Sequence, residues 1–287
     1  MIQKMTDPWE LLQAHQFAIV DQLTLRPQSW HAALPLMPLE QEALKTYPEK
    51  LPALLPLEYG KPYMELLADN LEEARKESKP GLLRAMLALS EDVEPERLQR
   101  HLTDRLVAHL ASSGRVYVRY FDPTVFPKLA RIIPPNRWSL LYGPVARWSI
   151  PFQEEWISFP APEVEHRAAA WVITDAQWER VERIRYINDA LMEREVVLER
   201  PWESFEEYSK ATEVAERAVV AAQKLYGIRE RDELLMYTVK ALIHGEHFHR
   251  HPVIQEALRH PLPEGVGVTL NTLNETIWAE TVAYNND

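Results

Sequence analysis

The chain has 287 residues, of which 46% are apolar and 26% charged, a formal net charge of -11 and no cysteine. That balance gives a globular protein with a real core, in one large or two ordinary domains, rather than a disordered chain. The acidity argues against a nucleic-acid protein, which needs a basic surface for phosphate. The lack of cysteine removes a disulfide framework, a thiolate nucleophile and thiolate metal sites.

The opening MIQKMTDPWE lacks the apolar core of a signal peptide. No run reaches the roughly 18 apolar residues of a spanning helix, so a soluble, cytoplasmic protein with no membrane partner is expected. Phe17 to Val20, closed by Asp21, is a short apolar run that suits an inner strand. Residues 34–62 are rich in proline and predict extended connections, with one short strand near Leu54 to Leu57. PYMELLADNLEEARKES predicts a helix, and GLLRAMLALS a second strand. Leu98, Leu102, Leu106 and Leu110 form one stripe of an amphipathic helix that the spacing carries up to residue 110.

RVYVRYFDP, residues 115–123, alternates with a period of two. Val116, Val118 and Tyr120 face one way and Arg115, Tyr117, Arg119 and Phe121 the other, as in a strand. Pro123 cannot donate to a ladder and ends it; Asp122 is placed to cap the next helix, with Pro123 at its first position. Arg119 would be costly if buried unpaired. Asp122 is the nearest partner and Asp21 a second; the functional alternative is an anchor for a partner's backbone or carboxylate. TVFPKLARII predicts a helix, so helix, turn, strand and helix read as an α/β unit. LLYGPVARWSI predicts a strand interrupted by Gly143-Pro144.

Residues 151–173 are rich in proline and aromatics and read as an extended segment crossing between lobes. Beyond it the pattern turns helical. Thr174 with Gln177, and Ser204 with Glu207, have capping-box spacing, and Gly227 and Gly245 stand where helix-ending glycines belong. PVIQEALRH predicts a short helix, the glycine- and threonine-rich stretch after Pro263 a loop, and NETIWAETVAY a terminal helix or a loose end. The expected fold is therefore α+β: an N-terminal mixed α/β lobe over residues 1–150, packed against a C-terminal helical lobe over 174–287.

HGEHFHRHP offers His244, His247, His249 and His251. Zinc needs three or four converging ligands. The glycine between His244 and His247 and the missing His-Glu-x-x-His order argue against a metal, so none is expected. No Gly-x-Ser-x-Gly elbow and no glycine-rich phosphate loop is present, and the carboxylates lie among basic neighbours on helices; no catalytic residue and no cofactor are expected. Trp148, Trp156 and Trp171 fall close together in sequence and suit either a core or a peptide groove.

Residues 115–145 resemble the signature of the adaptor chaperones of bacterial type VI secretion. In that family an Arg-Phe-Tyr-Asp-Pro-like strand end is followed by two short helices and a Gly-Pro strand. Here the stretch is Arg119-Tyr120-Phe121-Asp122-Pro123, with its aromatics in the other order, and then Gly143-Pro144. LQRHLTDRLVAHL, QFAIVDQL and GKPYMELL resemble further family segments, and HGEHFHRHPVIQEAL its C-terminal region. The resemblance implies a non-enzymatic role in the cytoplasm of a Gram-negative cell. Such adaptors bind a toxic effector, often at its N-terminal region, and deliver it to the C-terminal end of the VgrG spike. Arg119, Asp122, Pro123, Gly143 and Pro144 are the motif matches and are expected to be architectural. Partner binding is expected in a groove along residues 145–171, with Trp148, Trp156, Phe159 and Trp171 as anchors. The alternatives are a metal-dependent hydrolase using His244 to His251, and a structural component of a secretion baseplate.

Overall fold

A computed structural model describes residues 3–26, 29–44, 51–77, 81–112, 114–166 and 168–285. The chain divides into two units, Met1–Trp178 and Glu179–Asp287. The first is built on a seven-stranded antiparallel sheet with strand order β1-β9-β8-β5-β2-β4-β3. Its strands are β1 (Gln3–Met5), β2 (Phe17–Asp21), β3 (Met37–Pro38), β4 (Pro52–Pro56), β5 (Leu83–Leu89), β8 (Val145–Phe152) and β9 (Glu155–Pro160). β2, one of the inner strands, is buried at all five positions, which is why it reads as an unbroken apolar run.

Cross-strand register sorts the side chains onto two faces. Ala18, Met86, Ser149 and Ser158 stand in one row, and Phe17, Leu87, Trp148 and Phe159 in the adjacent, opposite-facing row. The first face packs on Leu11 and Leu12 of α1 (Pro8–Gln13) and on Met64, Leu67, Ala68 and Leu71 of α2 (Pro62–Glu77). The second packs on α4 (Phe126–Ile132) and α5 (Pro135–Tyr142), whose Phe126 and Tyr142 rings meet Trp148. A three-stranded sheet joins β6 (Val107–Leu110) to antiparallel β7 (Arg115–Tyr117) and parallel β10 (Val172–Ile173).

Four local expectations need correction here. The leucine stripe is not one helix: α3 (Pro95–Arg105) buries Leu98 and Leu102, and the chain then turns into β6. The turn is held by Val118 N–H donating to the Leu106 carbonyl at 2.8 Å. The RVYVRYFDP strand pairs only as far as Tyr117; beyond it Val118, Tyr120 and Phe121 are all buried, so the alternation of faces ends where the chain turns. Residues 140–142 close α5 rather than opening a strand, and Gly143 ends it at φ 52°. Residues 151–173 are not an extended crossing. β8 runs through Phe152 into a hairpin with β9, and β10 follows.

In the second unit and its entry the helices are α6 (Asp175–Leu198), α7 (Phe205–Tyr226), α8 (Arg231–His244), α9 (Pro252–Arg259), α10 (Val266–Asn271) and α11 (Glu275–Glu280). The Thr174–Gln177 capping box forms in full, and the Ser204–Glu207 one in half. Thr174 N–H donates to Gln177 Oε1 at 2.9 Å and Gln177 N–H to Thr174 Oγ1 at 3.3 Å. Glu207 N–H donates to Ser204 Oγ at 3.1 Å, while the Glu207 carboxylate turns back to the Glu203 N–H at 2.7 Å. Gly227 closes α7 in the left-handed region. The core holds Ala222, Leu234, Tyr237, Phe248, Ile254 and Leu270. α10 stands where a loop was expected. Two contacts pay for its glycine content: Val266 N–H donates to the Glu233 carboxylate at 3.1 Å, and Thr269 Oγ1 accepts from Leu262 N–H at 2.8 Å. Among the described residues no helix is long and apolar enough to cross a membrane.

Candidate functional site

The signature stretch folds on itself. Asp122 Oδ1 accepts from the Thr124 N–H at 2.9 Å and its hydroxyl at 2.8 Å, while Oδ2 lies 3.2 Å from the Arg119 guanidinium. The carboxylate therefore caps a turn over Pro123–Val125, one turn ahead of the helix it was expected to cap, and the Asp122 carbonyl accepts from the N–H groups of Val125 and Phe126. Arg119 is half-exposed and takes the nearer of its two possible partners; Asp21 lies instead 3.7 Å from Arg84. Tyr120 is buried and donates to the Leu102 carbonyl at 2.8 Å, tying the turn to α3.

Gly143 answers a spatial demand. At φ 52° it lies so close to the His101 ring that a Cβ would overlap it, and His101 Nε2 in turn bonds the Leu141 carbonyl at 2.9 Å. The Pro144 carbonyl accepts from both the N–H and the hydroxyl of Ser90, each at 2.9 Å. Lys128, on α4 behind this turn, is 3% exposed and donates to the Thr124 carbonyl at 3.0 Å. Loss of solvent lowers its pKa to about 7, against the opposing pull of the Asp122 charge.

The tryptophans fall in different places. Trp148 is fully buried, stacked on Phe126 at 5.1 Å and edge-on to Tyr120 at 5.7 Å. Trp156 lies on the opposite face of the sheet, in the α1–α2 core. Trp171 is buried beside Trp138 and donates to the Arg105 carbonyl at 3.2 Å. Phe159 is half-buried against Phe126. The expectation of exposed anchors along a free extended segment is thus corrected. β8 and β9 each pair on both sides, which occupies the backbone groups a docked strand would need.

Sequence reading missed a polar line through the first core. His15 Nδ1 bonds the Leu11 carbonyl at 2.7 Å, its Nε2 lies 2.8 Å from Ser149 Oγ, and Ser149 Oγ lies 2.8 Å from Ser158 Oγ. With Nδ1–H donating, Nε2 accepts from the Ser149 hydroxyl. Burial lowers the His15 pKa to about 4, so the neutral ring is held. The signal was there in part, because Ser149 and Ser158 occupy inward positions of two apolar strands; their pairing needed the register.

The four C-terminal histidines do not converge. His244 stacks on Trp278 at 4.4 Å, with its pKa lowered to about 4 by burial. His251 Nε2 lies 3.0 Å from the Glu280 carboxylate. His247 and His249 are near each other, ring centroids 6.3 Å apart. Among the described residues no group of three or more His, Asp or Glu is placed to hold a metal ion.

Two surface features remain. An open pocket of about 590 Å³ is lined by Thr24, Arg26, Trp30, His31, Asn70 and Glu73 among others, with charges of both signs. Toward the end of α6, Met192 and Val196 are exposed one turn apart on the same face.

Residues 13–140 match the family model described as Domain of unknown function (DUF4123). The match runs from the last residue of α1 into α5 and takes in the Arg119–Pro123 turn. No curated protein and no solved structure matches this chain.

Proposed function

We propose that this protein is an adaptor chaperone of type VI secretion. It binds a toxic effector, at the effector's N-terminal region, and loads it onto the C-terminal end of the VgrG spike in the cytoplasm of a Gram-negative cell, without catalysing a reaction. The observation that carries the reading is the match of residues 13–140 to DUF4123, a domain known in effector-loading adaptors of this system. The match coincides with the stretch whose sequence resembles that family. Arg119, Asp122, Gly143 and Pro144 hold turns and carry the α3–α5 scaffold, which supports a role in recognition through shape rather than chemistry.

Affinity purification of the chain from the cell that produces it tests the proposal. An effector and a spike protein are expected to copurify, and deleting the adaptor should stop release of the effector while the spike is still released. Recovery of neither protein overturns the reading.

A further inference from the structure

We propose that the C-terminal end of α6 is a docking surface for a cationic amphipathic helix of a partner protein. The inference arises within Glu179–Asp287 and does not rest on the adaptor reading.

α6 is apolar on two sides near its end. Ile184, Ile187, Ala190 and Leu191 are buried. Met192 and Val196, one turn apart on the other side, are 66% and 70% exposed, whereas Val197 and Leu198 lie further round the helix, Leu198 on the side of buried Leu191. Single exposed apolar side chains are ordinary, but Met192 and Val196 stand at i, i+4 and present one apolar ridge on the exposed face. The helix end is firmly seated. Buried Arg194 donates to the Arg200 carbonyl at 3.0 Å, lies 3.6 Å from the Glu207 carboxylate and stacks over Trp202 at 4.2 Å. The ridge is therefore presented on a fixed frame.

Its electrostatics select the occupant. Glu193 and Glu199 flank the apolar residues, are exposed, and make no ion pair among the described residues. The last turn of α6 has no basic residue of its own, and the cation at that end, Arg194, is buried and already engaged by the Arg200 carbonyl and Glu207. Nearby cations are engaged: Arg200 with Glu203 and Glu207, Arg231 with Asp189, and Arg185 with Tyr186. Glu199 also sits at φ 48°, where glycine is favoured. A carboxylate is held at a strained position beside an apolar ridge. Lysine or arginine flanking an apolar helical face satisfies both features. A second copy would set these carboxylates against their own kind, and an anionic lipid surface would be repelled.

The test uses the full purified chain and a fluorescein-labelled helical peptide with leucine on one face and lysine on the other. A leucine and glutamate peptide of the same pattern is the control. The lysine peptide is expected to bind, and more weakly as salt is raised. The double variant M192S/V196S keeps all charges and should weaken binding roughly tenfold or more. Glu199→Gly relieves the backbone and should raise the melting temperature while lowering affinity, which separates docking from folding. Equal affinity of the parent and both variants overturns the proposal. So does self-association that M192S/V196S abolishes, or binding to anionic vesicles in place of the peptide.

Discussion

Trp148 and Met192 pose the same problem to a sequence reader and meet opposite fates. Both are large apolar residues in segments with charged neighbours. Trp148 lies in an extended segment that looked available to a partner, and it is fully buried between the sheet and α4–α5. Met192 lies on a helix whose stripe of Ile184, Ile187 and Leu191 already supplies a buried face, and it points outward. The difference lies in what surrounds each backbone. β8 is paired on both sides and its faces are covered by helices; α6 near its end is covered on one side only. Apolar character alone does not distinguish a core ring from a contact ring. The neighbours brought in by long-range pairing do.

The largest expected effect lies on the buried side of that comparison. Trp148→Ala should destabilise the protein by about 3–5 kcal/mol in urea denaturation, the usual cost of emptying a large aromatic site. A small change in stability together with lost partner binding would make Trp148 a contact residue and reverse the contrast.

A pH titration probes the same core from its polar side. The folded-state pKa of His15 is lowered from 6.5 to about 4, so between these values the unfolded chain binds the extra proton. The His15 contribution should therefore be complete above pH 6.5 and be lost as pH drops toward 4, by roughly 3 kcal/mol at 1.36 kcal/mol per pKa unit, and His244, lowered to about 4 as well, adds to the slope in the same window. His15→Gln should flatten that slope; an unchanged slope would show that the ring is not buried as described. Lys128 acts in the same direction in a higher window, between about 7 and its ordinary value of 10.5.

A smaller effect is expected at the signature. Asp122→Ala removes the acceptor for Thr124 and the partner of Arg119, and should cost about 0.5–2 kcal/mol, as for a lost cap. A normal melting curve with abolished copurification of the effector would move Asp122 from scaffold to interface. The smallest effect belongs to the exposed side. Met192→Ser should change stability by no more than about 0.5 kcal/mol, as at other exposed positions. A loss of 2 kcal/mol or more would mean that the side chain is covered in the folded protein and would remove the contrast.

Much of the helical half was legible because its signals are local. Thr174 with Gln177 and Gly227 act across one turn and do in space what their spacing implies, and Ser204 caps its helix although Glu207 bonds back to Glu203 instead of to the cap. The inner strand at Phe17–Asp21 was legible because burial on both faces leaves an unbroken apolar run. Arg119 and Asp122 were legible as a pair, since they stand three positions apart and a single turn brings them together. The early end of α3 was not. Leu106 and Leu110 fit a helical stripe perfectly well, and only the pairing of Val107–Leu110 with Arg115–Tyr117 and Val172–Ile173 turns the chain at Leu106 and makes Leu110 strand.

The sequence by itself determined the α+β class, the caps of α6 and α7, the glycine stops of α7 and α8, and the acidic, cysteine-free composition. These depend on composition or on contacts within a few residues, where intrinsic preference is strong. Tertiary structure decided that Trp148 and Trp156 occupy opposite faces of one sheet, that Gly143 must yield space to His101, and that His15 meets Ser149 across 134 positions of chain. It also decided which apolar stripe of α6 stays exposed. Each of those outcomes depends on strand register or helix packing, and a one-residue shift in register would exchange the faces without altering any local pattern.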